Sequence, residues 1–479
     1  MNIKFSDALK VIVSSHIGKA GLMLLAFLVG VSIWVLATYP LDFGTKEWSN
    51  PTVWADNPKA VPPKWVNLLP GTDRVAHSVL ESDTPDDVRT AGWVKAETYL
   101  MPVSHDFDDF PTFLSFTMND VKFQGRPPLI TLSLARPDGT TVKLLQHVPS
   151  GARDGETAPI IRYEQTPFRL LLSADQTVRA ALADFHNEQY GTDYNERDLR
   201  GLGDQAAFGV PIPGDEAAFE SLRGDYEFVV DITFASTEDS LGSVKAVVGG
   251  DVFGGMGTDS QGRDLAVGLL FGFPVALFIG LLASTLTTTI GTSLGVVSGY
   301  MGGWVDTAIQ RLSDVVANVP LLPILIFMVI VLGSNLFLII LVLVAFSWPG
   351  LTILIRSMVL QLRSGQLIEA TQALGASKTR IMIRHIFPQT APFVFAQMIF
   401  FTPAAILAEA GLSFLGLGDP SIPTWGQILE QGFRTGAVYV GYWWWVLPPG
   451  LLIVLTAMAF VLIALAIEPV LNPRLRTMR

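Results

Sequence analysis

The side chains that could do chemistry are sparse in this sequence. It has no cysteine, so disulfides, thiol nucleophiles and iron–sulfur ligation are excluded together. Its six histidines are scattered, and no two lie three to five residues apart, so no metal site is predicted. It also lacks a Gly-x4-Gly-Lys-Ser/Thr loop that could hold the phosphates of ATP. The chain is therefore predicted not to bind ATP itself, so that any energy must come from a partner.

The most informative segment is 368–389, which reads IEATQALGASKTRIMIRHIFPQ. Helix-forming residues precede Gly375, and an amphipathic stretch follows it and ends at Pro388. A glycine between two short helices permits the tight turn that sets one against the other. The segment therefore predicts a stiff, basic helical elbow, through which another protein could move the helices attached to it.

Two other groups of charged residues stand next to or inside apolar runs. Glu409 lies within an apolar stretch, where an ionisable side chain is a functional candidate by default. It could receive an amino group of a ligand, pair with a basic group of another subunit, or be a protonated or hydrogen-bonded packing residue; these readings stay open. Asp259, Arg263 and Asp264 directly precede an apolar run. Their position favours capping and orienting a helix over touching a ligand.

The composition describes the elements that must position these residues. Half of the 479 residues are hydrophobic, only 16% are charged, and the mean hydropathy is +0.43, whereas soluble domains carry about 25% charge. The net charge of −11 is uneven, because residues 40–262 contain 34 acidic and 18 basic side chains. The chain is thus predicted to be a membrane protein with an acidic, water-facing block and no affinity for nucleic acid.

Six apolar runs are long enough to cross a bilayer, and they cover residues 21–39, 265–298, 315–332, 336–355, 392–417 and 446–467. The first is longer than the apolar part of a signal peptide, so we expect it to be retained. An even number of spans puts both termini on one side. Twelve basic residues fall on that side, against Arg263 and Arg434 on the other. The positive-inside rule then predicts cytoplasmic termini, with residues 40–262 outside.

The external block is predicted to be mainly β. Strand patterns cover 112–118, 129–135, 141–147 and 226–235. Residues 174–189 have helical spacing, and Ser173 stands before them as a candidate cap. We expect a β-sandwich-like domain with a helical insertion.

The elbow resembles the EAA loop of ABC-transporter permeases, which reads Glu-Ala-Ala, three residues, Gly, nine residues, Ile-x-Leu-Pro. Here Thr371 stands for the second alanine, His385 for the isoleucine and Phe387 for the leucine. Three further segments resemble the dipeptide/oligopeptide branch of that family, namely GTDSQGRD at 257–264, GYMGGWVD with RLSD at 299–314, and LSFLGLG with PTWG at 412–426. The block at 40–262 departs from the family, because it is much larger than the loop usual there.

The resemblance implies the C-type subunit of an ATP-driven importer in the cytoplasmic membrane, a transporter subunit that is not an enzyme and binds no cofactor of its own. Its fold would be a six-helix bundle, with a first segment 1–39, an external domain 40–256 inserted between the first and second spans, and a core 257–479 that carries the coupling loop at about 360–390. Its partners would be a B-type permease subunit, one or two cytoplasmic ATPases that bind ATP and Mg²⁺, and an external substrate-binding protein. The residues carried over to ATPase coupling are Glu369, Ala370, Gly375, Ala376, Arg384 and Pro388.

Some alternatives remain at this point. Peptides are the expected cargo, but other members of the branch carry oligosaccharides or nickel chelates. A membrane receptor with an external sensing domain is a different class, although it would need a cytoplasmic output domain. A secondary transporter or a fused substrate-binding domain at 40–262 is less consistent with the residue pattern.

Overall fold

The computed structural model describes residues 12–214 and 218–471 and divides them into two compact units. One unit spans Thr52–Asp264, and the other combines the chain up to Pro51 with the chain from Leu265 onward. Residues 40–51 therefore belong to the helical unit. There the Phe43 ring stacks on Phe271 with centroids 4.4 Å apart.

The described α-helices are α1 (His16–Thr38), α2 (Gln176–Tyr190), α3 (Gly203–Phe208), α4 (Leu265–Met301), α5 (Gly303–Asn318), α6 (Leu321–Leu332), α7 (Leu336–Arg363), α8 (Gln366–Ala373), α9 (Lys378–Ile381), α10 (Phe387–Phe414), α11 (Trp425–Arg434), α12 (Ala437–Val440) and α13 (Trp443–Leu471). A π-helical turn, Met382–Ile386, joins α9 to α10. The described strands are β1 (Ser78–Ser82), β2 (Asp87–Ala91), β3 (Val94–His105), β4 (Leu114–Asn119), β5 (Val121–Phe123), β6 (Leu129–Ala135), β7 (Thr141–His147), β8 (Ile160–Arg162), β9 (Phe168–Leu171), β10 (Gly209–Pro211), β11 (Phe219–Ser221), β12 (Gly224–Phe234) and β13 (Ser243–Val248).

Within the described residues 12–51 and 265–471, five helices are long and apolar enough to cross a membrane, or six spans are present if one bent pair counts as a span. The bent pair is α5 and α6, which meet at 78°. The third span predicted at 315–332 covers the end of α5 and all of α6, with this bend inside it. Pro320 stands between the two helices as the N-cap residue of α6, and a proline lacks the N–H that would continue α5.

Prolines do not break the other long helices that the structure describes. Helix α4 contains Pro274 and runs for 37 residues without a break, about 55 Å at the α-helical rise. Pro349 lies inside the continuous helix α7. The second arm of the elbow does not end at Pro388, because the helix continues from Lys378 to Phe414. Neighbouring elements can satisfy the carbonyls that a proline frees inside a bundle.

Helices α4 and α7 approach closely along a row of glycines. A Cβ on Gly291 would lie 3.0 Å from the Trp348 carbonyl oxygen, and one on Gly295 would lie 2.7 Å from the Ile355 Cβ. Small residues at four-residue spacing let membrane helices bring their backbones together. This close approach fixes the position of the elbow that follows α7.

The Thr52–Asp264 unit is built on two antiparallel sheets. Their strand orders are β1-β13-β4-β9 and β2-β3-β12-β6-β7, and two short two-stranded ribbons, β10-β11 and β5-β8, accompany them. Both larger sheets contribute to one core, with Phe116 from the first and Phe228 from the second fully buried. The predicted strands at 129–135 and 141–147 coincide with β6 and β7.

The predicted helix in this unit is present as α2, but its cap is a different residue. The Asp175 carboxylate accepts hydrogen bonds from the backbone N–H groups of Thr177 and Val178 at 2.8 and 3.1 Å. Ser173 is not the cap, because its hydroxyl accepts a hydrogen bond from the Leu114 N–H at 3.3 Å. A carboxylate at the N-cap also interacts favourably with the helix dipole.

Candidate functional site

The elbow is formed by α8 and the helix that begins at Lys378. Gly375 between them has φ +78°, a left-handed conformation that costs an L-residue with a side chain about 1–2 kcal/mol. Ser377 caps the second arm by accepting a hydrogen bond from the Arg380 N–H at 3.4 Å. The predicted turn between two helices is therefore present, with the glycine at its pivot.

The inner face of the elbow is anchored to the long helices. Ile368, Ile381 and Ile386 are buried in one cluster with residues of α4 and α7. The Gln372 amide also donates a hydrogen bond to the Tyr300 hydroxyl at 3.2 Å. Any force on the elbow is therefore passed to α4 and α7 through side chains that are already in contact.

The outer face carries most of the residues predicted for coupling. Glu369, Ala370, Gly375, Arg384 and Pro388 are exposed, and Ala376 is half-buried. Large apolar side chains lie among them, with 87% of Leu374 and 62% of Ile383 exposed, and Leu367 and Phe387 are also exposed. An apolar patch rimmed by charges is typical of a surface that another protein covers.

These apolar residues were not predicted. Leu374 and Ile383 are visible in the sequence, but hydropathy does not distinguish an exposed apolar residue of a short amphipathic helix from a buried one.

Glu409 lies in an enclosed junction of the helical unit. Its side chain is 4% exposed, and the Ser413 hydroxyl donates a hydrogen bond to its Oε1 at 2.6 Å. Helix α11 comes very close at this point, since a Cβ on Gly426 would lie 2.7 Å from the Ala410 carbonyl oxygen. Among the described residues Glu409 forms no ion pair. In this conformation the carboxyl group is thus a hydrogen-bonded packing group.

Asp259 and Arg263 form a buried ion pair within the Thr52–Asp264 unit. Arg263 Nε lies 2.5 Å from Asp259 Oδ2, and both side chains are almost fully buried. The Asp259 Oδ1 also accepts a hydrogen bond from the Arg263 N–H at 3.0 Å. Asp264 follows and immediately precedes α4.

The same turn is bonded to a distant part of the chain. The Ala60 N–H donates to the Asp259 carbonyl oxygen at 2.8 Å, and the Asn57 amide donates to the Gly262 carbonyl oxygen at 2.9 Å. These hydrogen bonds to main-chain carbonyl groups lock residues 258–263 against residues 57–61. No sequence signal pointed to that second segment.

A further charge pair escaped the sequence analysis. Asp306 on α5 and Arg356 on α7 form a two-bond ion pair at 2.5 Å. The two residues are fifty positions apart, and Arg356 had been counted only as one of the basic residues that orient the chain. An acidic residue shortly after a Gly-Gly turn, in a unit with few acids, was the available signal.

These features define a class of protein. It is an integral membrane protein whose described residues form a bundle of five or six apolar helices, and its elbow has an exposed surface of the kind that another protein covers. Comparison with known proteins gives the family. Residues 291–477 match the family of binding-protein-dependent transport system inner membrane components.

Characterised relatives agree with this match. The dipeptide transport system permease protein DppC of Bacillus subtilis (strain 168) is 34% identical over 221 residues, which make up 46% of this chain and 68% of DppC. The oligopeptide transport system permease protein OppC of Salmonella typhimurium is 39% identical over 219 residues, or 46% of this chain and 72% of OppC. A chain of the inward-facing MetNI methionine ABC transporter aligns with 42% of this chain and 94% of its own at 20% identity, with a TM-score of 0.35, which is too low to establish a shared fold.

The chain belongs to the family of binding-protein-dependent transport system inner membrane components. It is a permease component of an ABC importer, as the EAA-type elbow predicted. The family is one of transporter permease components.

Proposed function

We propose that this chain is the C-type subunit of a peptide importer. It pairs with a B-type permease subunit in the cytoplasmic membrane, crosses the membrane six times and keeps both termini in the cytoplasm, so that residues 40–262 lie outside. An external binding protein delivers the cargo. Peptides are favoured because the relatives DppC and OppC are named for dipeptide and oligopeptide transport.

The elbow carries the proposal. Its exposed outer face, which includes Glu369, Ala370, Gly375, Arg384 and Pro388 together with Leu374, is covered by a cytoplasmic ATPase subunit. Ala376, half-buried beside the pivot, helps to set the angle between the arms. ATP and Mg²⁺ bind to the ATPases, and their closure pushes the elbow. Because the inner face of the elbow is packed against α4 and α7, the push changes which side of the bundle is open.

The test is peptide uptake by proteoliposomes that contain this chain, its B-type partner and their ATPases, with binding protein and peptide on one side and ATP on the other. Leu374→Asp puts a charge at the centre of the covered patch, and Glu369→Ala removes the exposed carboxylate. We expect the first to lower ATP-dependent uptake roughly thirtyfold and the second by less, since truncating a central contact residue of an interface typically costs about 2 kcal/mol. Glu164→Ala removes an exposed glutamate of the Thr52–Asp264 unit and is the matched control for Glu369→Ala.

The amount of each variant in the membrane has to equal that of the wild type. Uptake at the wild-type rate with both elbow variants would contradict the proposed ATPase contact. Accumulation of oligosaccharides or nickel chelates, with none of peptides, would overturn the cargo and leave the importer in place.

A further inference from the structure

The Asp306–Arg356 ion pair joins two helices at the end of the bundle that bears the elbow. Arg356 donates from Nε to Asp306 Oδ1 and from Nη2 to Asp306 Oδ2, both at 2.5 Å. The Arg356 side chain is 30% exposed, and the Asp306 side chain is 16% exposed. A guanidinium that meets a carboxylate with two parallel bonds fixes orientation as well as distance.

A third helix joins the pair. The Ser298 hydroxyl on α4 donates to Asp306 Oδ1 at 2.5 Å and accepts a hydrogen bond from the Gln310 amide at 3.0 Å. The turn between α4 and α5 brings these groups together, because Gly302 and Gly303 have φ +65° and +59°. Two consecutive left-handed residues are readily adopted only by glycine. Helices α4, α5 and α7 thus meet at one carboxylate.

Helix α5 lies against both α4 and α7, but its packing is shallow. Of its sixteen residues only Ser313 is fully buried, so the ion pair adds a fixed orientation that shallow packing does not supply. The far end of α5 leads through the bend at Pro320 into α6. The Asp306–Arg356 pair therefore fixes the orientation of the bent pair relative to α7.

Arg356 is also close to the anchor of the elbow. Its neighbours Ile355 and Val359 on α7 belong to the buried cluster that contains Ile368, Ile381 and Ile386 of the elbow. A displacement of the elbow moves this part of α7, and Arg356 moves with it. The ion pair then determines whether α5 follows.

We propose that Asp306 and Arg356 are positioning residues for transport: their ion pair makes α5 and α6 move together with the elbow-bearing helix α7. This inference rests on the proposed function, in which an ATPase pushes the elbow. Without the pair, the elbow still moves and ATP is still hydrolysed, but the bent helices lag behind and the cargo pathway does not complete its change.

The experiment uses the complete complex and two readouts. Asp306→Asn and Arg356→Gln each remove one charge, the exchange of Asp306→Arg with Arg356→Asp restores a pair, and Ser298→Ala removes only the supporting hydroxyl. The first readout is the number of ATP molecules hydrolysed per peptide taken up. We expect this ratio to rise roughly tenfold in the single variants, because breaking an ion pair with limited exposure leaves its remaining partner uncompensated. It returns towards the wild-type value in the exchange and changes little in Ser298→Ala.

The second readout does not depend on transport. Because the chain has no cysteine, spin labels can be attached at Val315→Cys on α5 and Leu360→Cys on α7, both at exposed positions outside the proposed ATPase contact. With the pair intact, the distance between the labels stays the same with and without trapped ATP. In Asp306→Asn the distribution of this distance becomes broader, and it differs between the complex with trapped ATP and the complex without it.

The outcomes separate this inference from the proposed function. A wild-type distance and a wild-type ratio in both single variants would overturn the inference while leaving the importer intact. A reduced amount of complex with an unchanged ratio per assembled complex would assign the pair a purely structural role and would also overturn it. Labels that move independently in the wild type would contradict the inference even if no peptide were transported.

Discussion

The core of the Thr52–Asp264 unit is built from large apolar side chains, whereas many apolar side chains of that size in the helical unit face outward. Tyr99, Phe116 and Phe228 are at most 1% exposed, while Phe327 and Ile330 on α6 are 64% and 77% exposed. Burial of apolar area drives the folding of a unit surrounded by water. Helices surrounded by lipid gain little from that effect, so close backbone approach and polar contacts hold them together.

The comparison is tested most severely by removing a large side chain from each unit. Phe228→Ala should lower the free energy of unfolding of the Thr52–Asp264 unit by about 3–5 kcal/mol, because it opens a cavity in a close-packed core. Phe327→Ala, at an exposed position of the helical unit, should change stability by less than about 0.5 kcal/mol. Hydrogen exchange of the amides of β3 and β6, measured in the full chain in detergent, reports the first effect. Equal losses from both substitutions would show that the two units are not stabilised differently.

The converse substitution adds a side chain where the helical unit depends on having none. Gly295→Leu should destabilise the contact between α4 and α7 by about 3 kcal/mol, since overpacking forces backbones apart. Its Cβ would lie 2.8 Å from the Thr352 carbonyl oxygen as well as against Ile355. Gly350→Leu is the matched control, because nothing lies within 4 Å of its added Cβ and leucine is the better helix former.

The measurement is the fraction of each glycine variant that remains monodisperse after heating in detergent. If Gly295→Leu survives as well as Gly350→Leu, close approach is not what holds α4 against α7.

The smallest expected effect is a pH dependence of stability, and it is confined to the Thr52–Asp264 unit. His186 is fully buried, its Nε2 lies 2.8 Å from the Ala206 carbonyl oxygen, and its Nδ1 has no hydrogen-bond partner among the described residues. Burial lowers the pKa of His186 from 6.5 to about 4. Below pH 6.5 His186 therefore binds a proton in the unfolded chain but stays neutral in the folded unit. The free energy of unfolding decreases as the pH falls from 6.5 towards 4.

Between pH 7 and pH 5 this one residue should cost about 2 kcal/mol. His186→Gln should remove that part of the dependence, as measured by hydrogen exchange at the two pH values. Asp204 acts in the opposite direction, because burial raises its pKa to about 6 and the folded unit takes up its proton first. An unchanged pH dependence in His186→Gln would mean that this histidine is not kept neutral by the fold.

The sequence predicted best where its signal was local. Strands β6 and β7 follow from alternation and a Pro-Asp-Gly turn, and the elbow follows from Gly375 between two helical stretches. Pro320 marks an interruption of the third apolar run, but the sequence does not give the 78° angle between α5 and α6 or the start of α5, because hydropathy changes little across Val319 and Pro320.

Pairing over long distances was out of reach in the same way. Asp306 meets Arg356 only because Gly302 and Gly303 reverse the chain and the glycines of α4 admit α7. The lock between residues 57–61 and 258–263 depends on two loops that have no pattern in common. The exposed apolar residues of the elbow, such as Leu374, were visible in the sequence but could not be told apart from buried ones without the fold.

The lock between those two loops has a consequence for the history of the chain. The lock holds the first and last parts of the Thr52–Asp264 unit side by side. The two ends of this unit are therefore adjacent, as in an inserted domain. Segments with adjacent ends can be inserted into a host chain without straining it, and the entropy of closing such a loop grows only with the logarithm of its length. A lineage could therefore gain, exchange or lose some two hundred residues at this point while the host helices kept their own contacts.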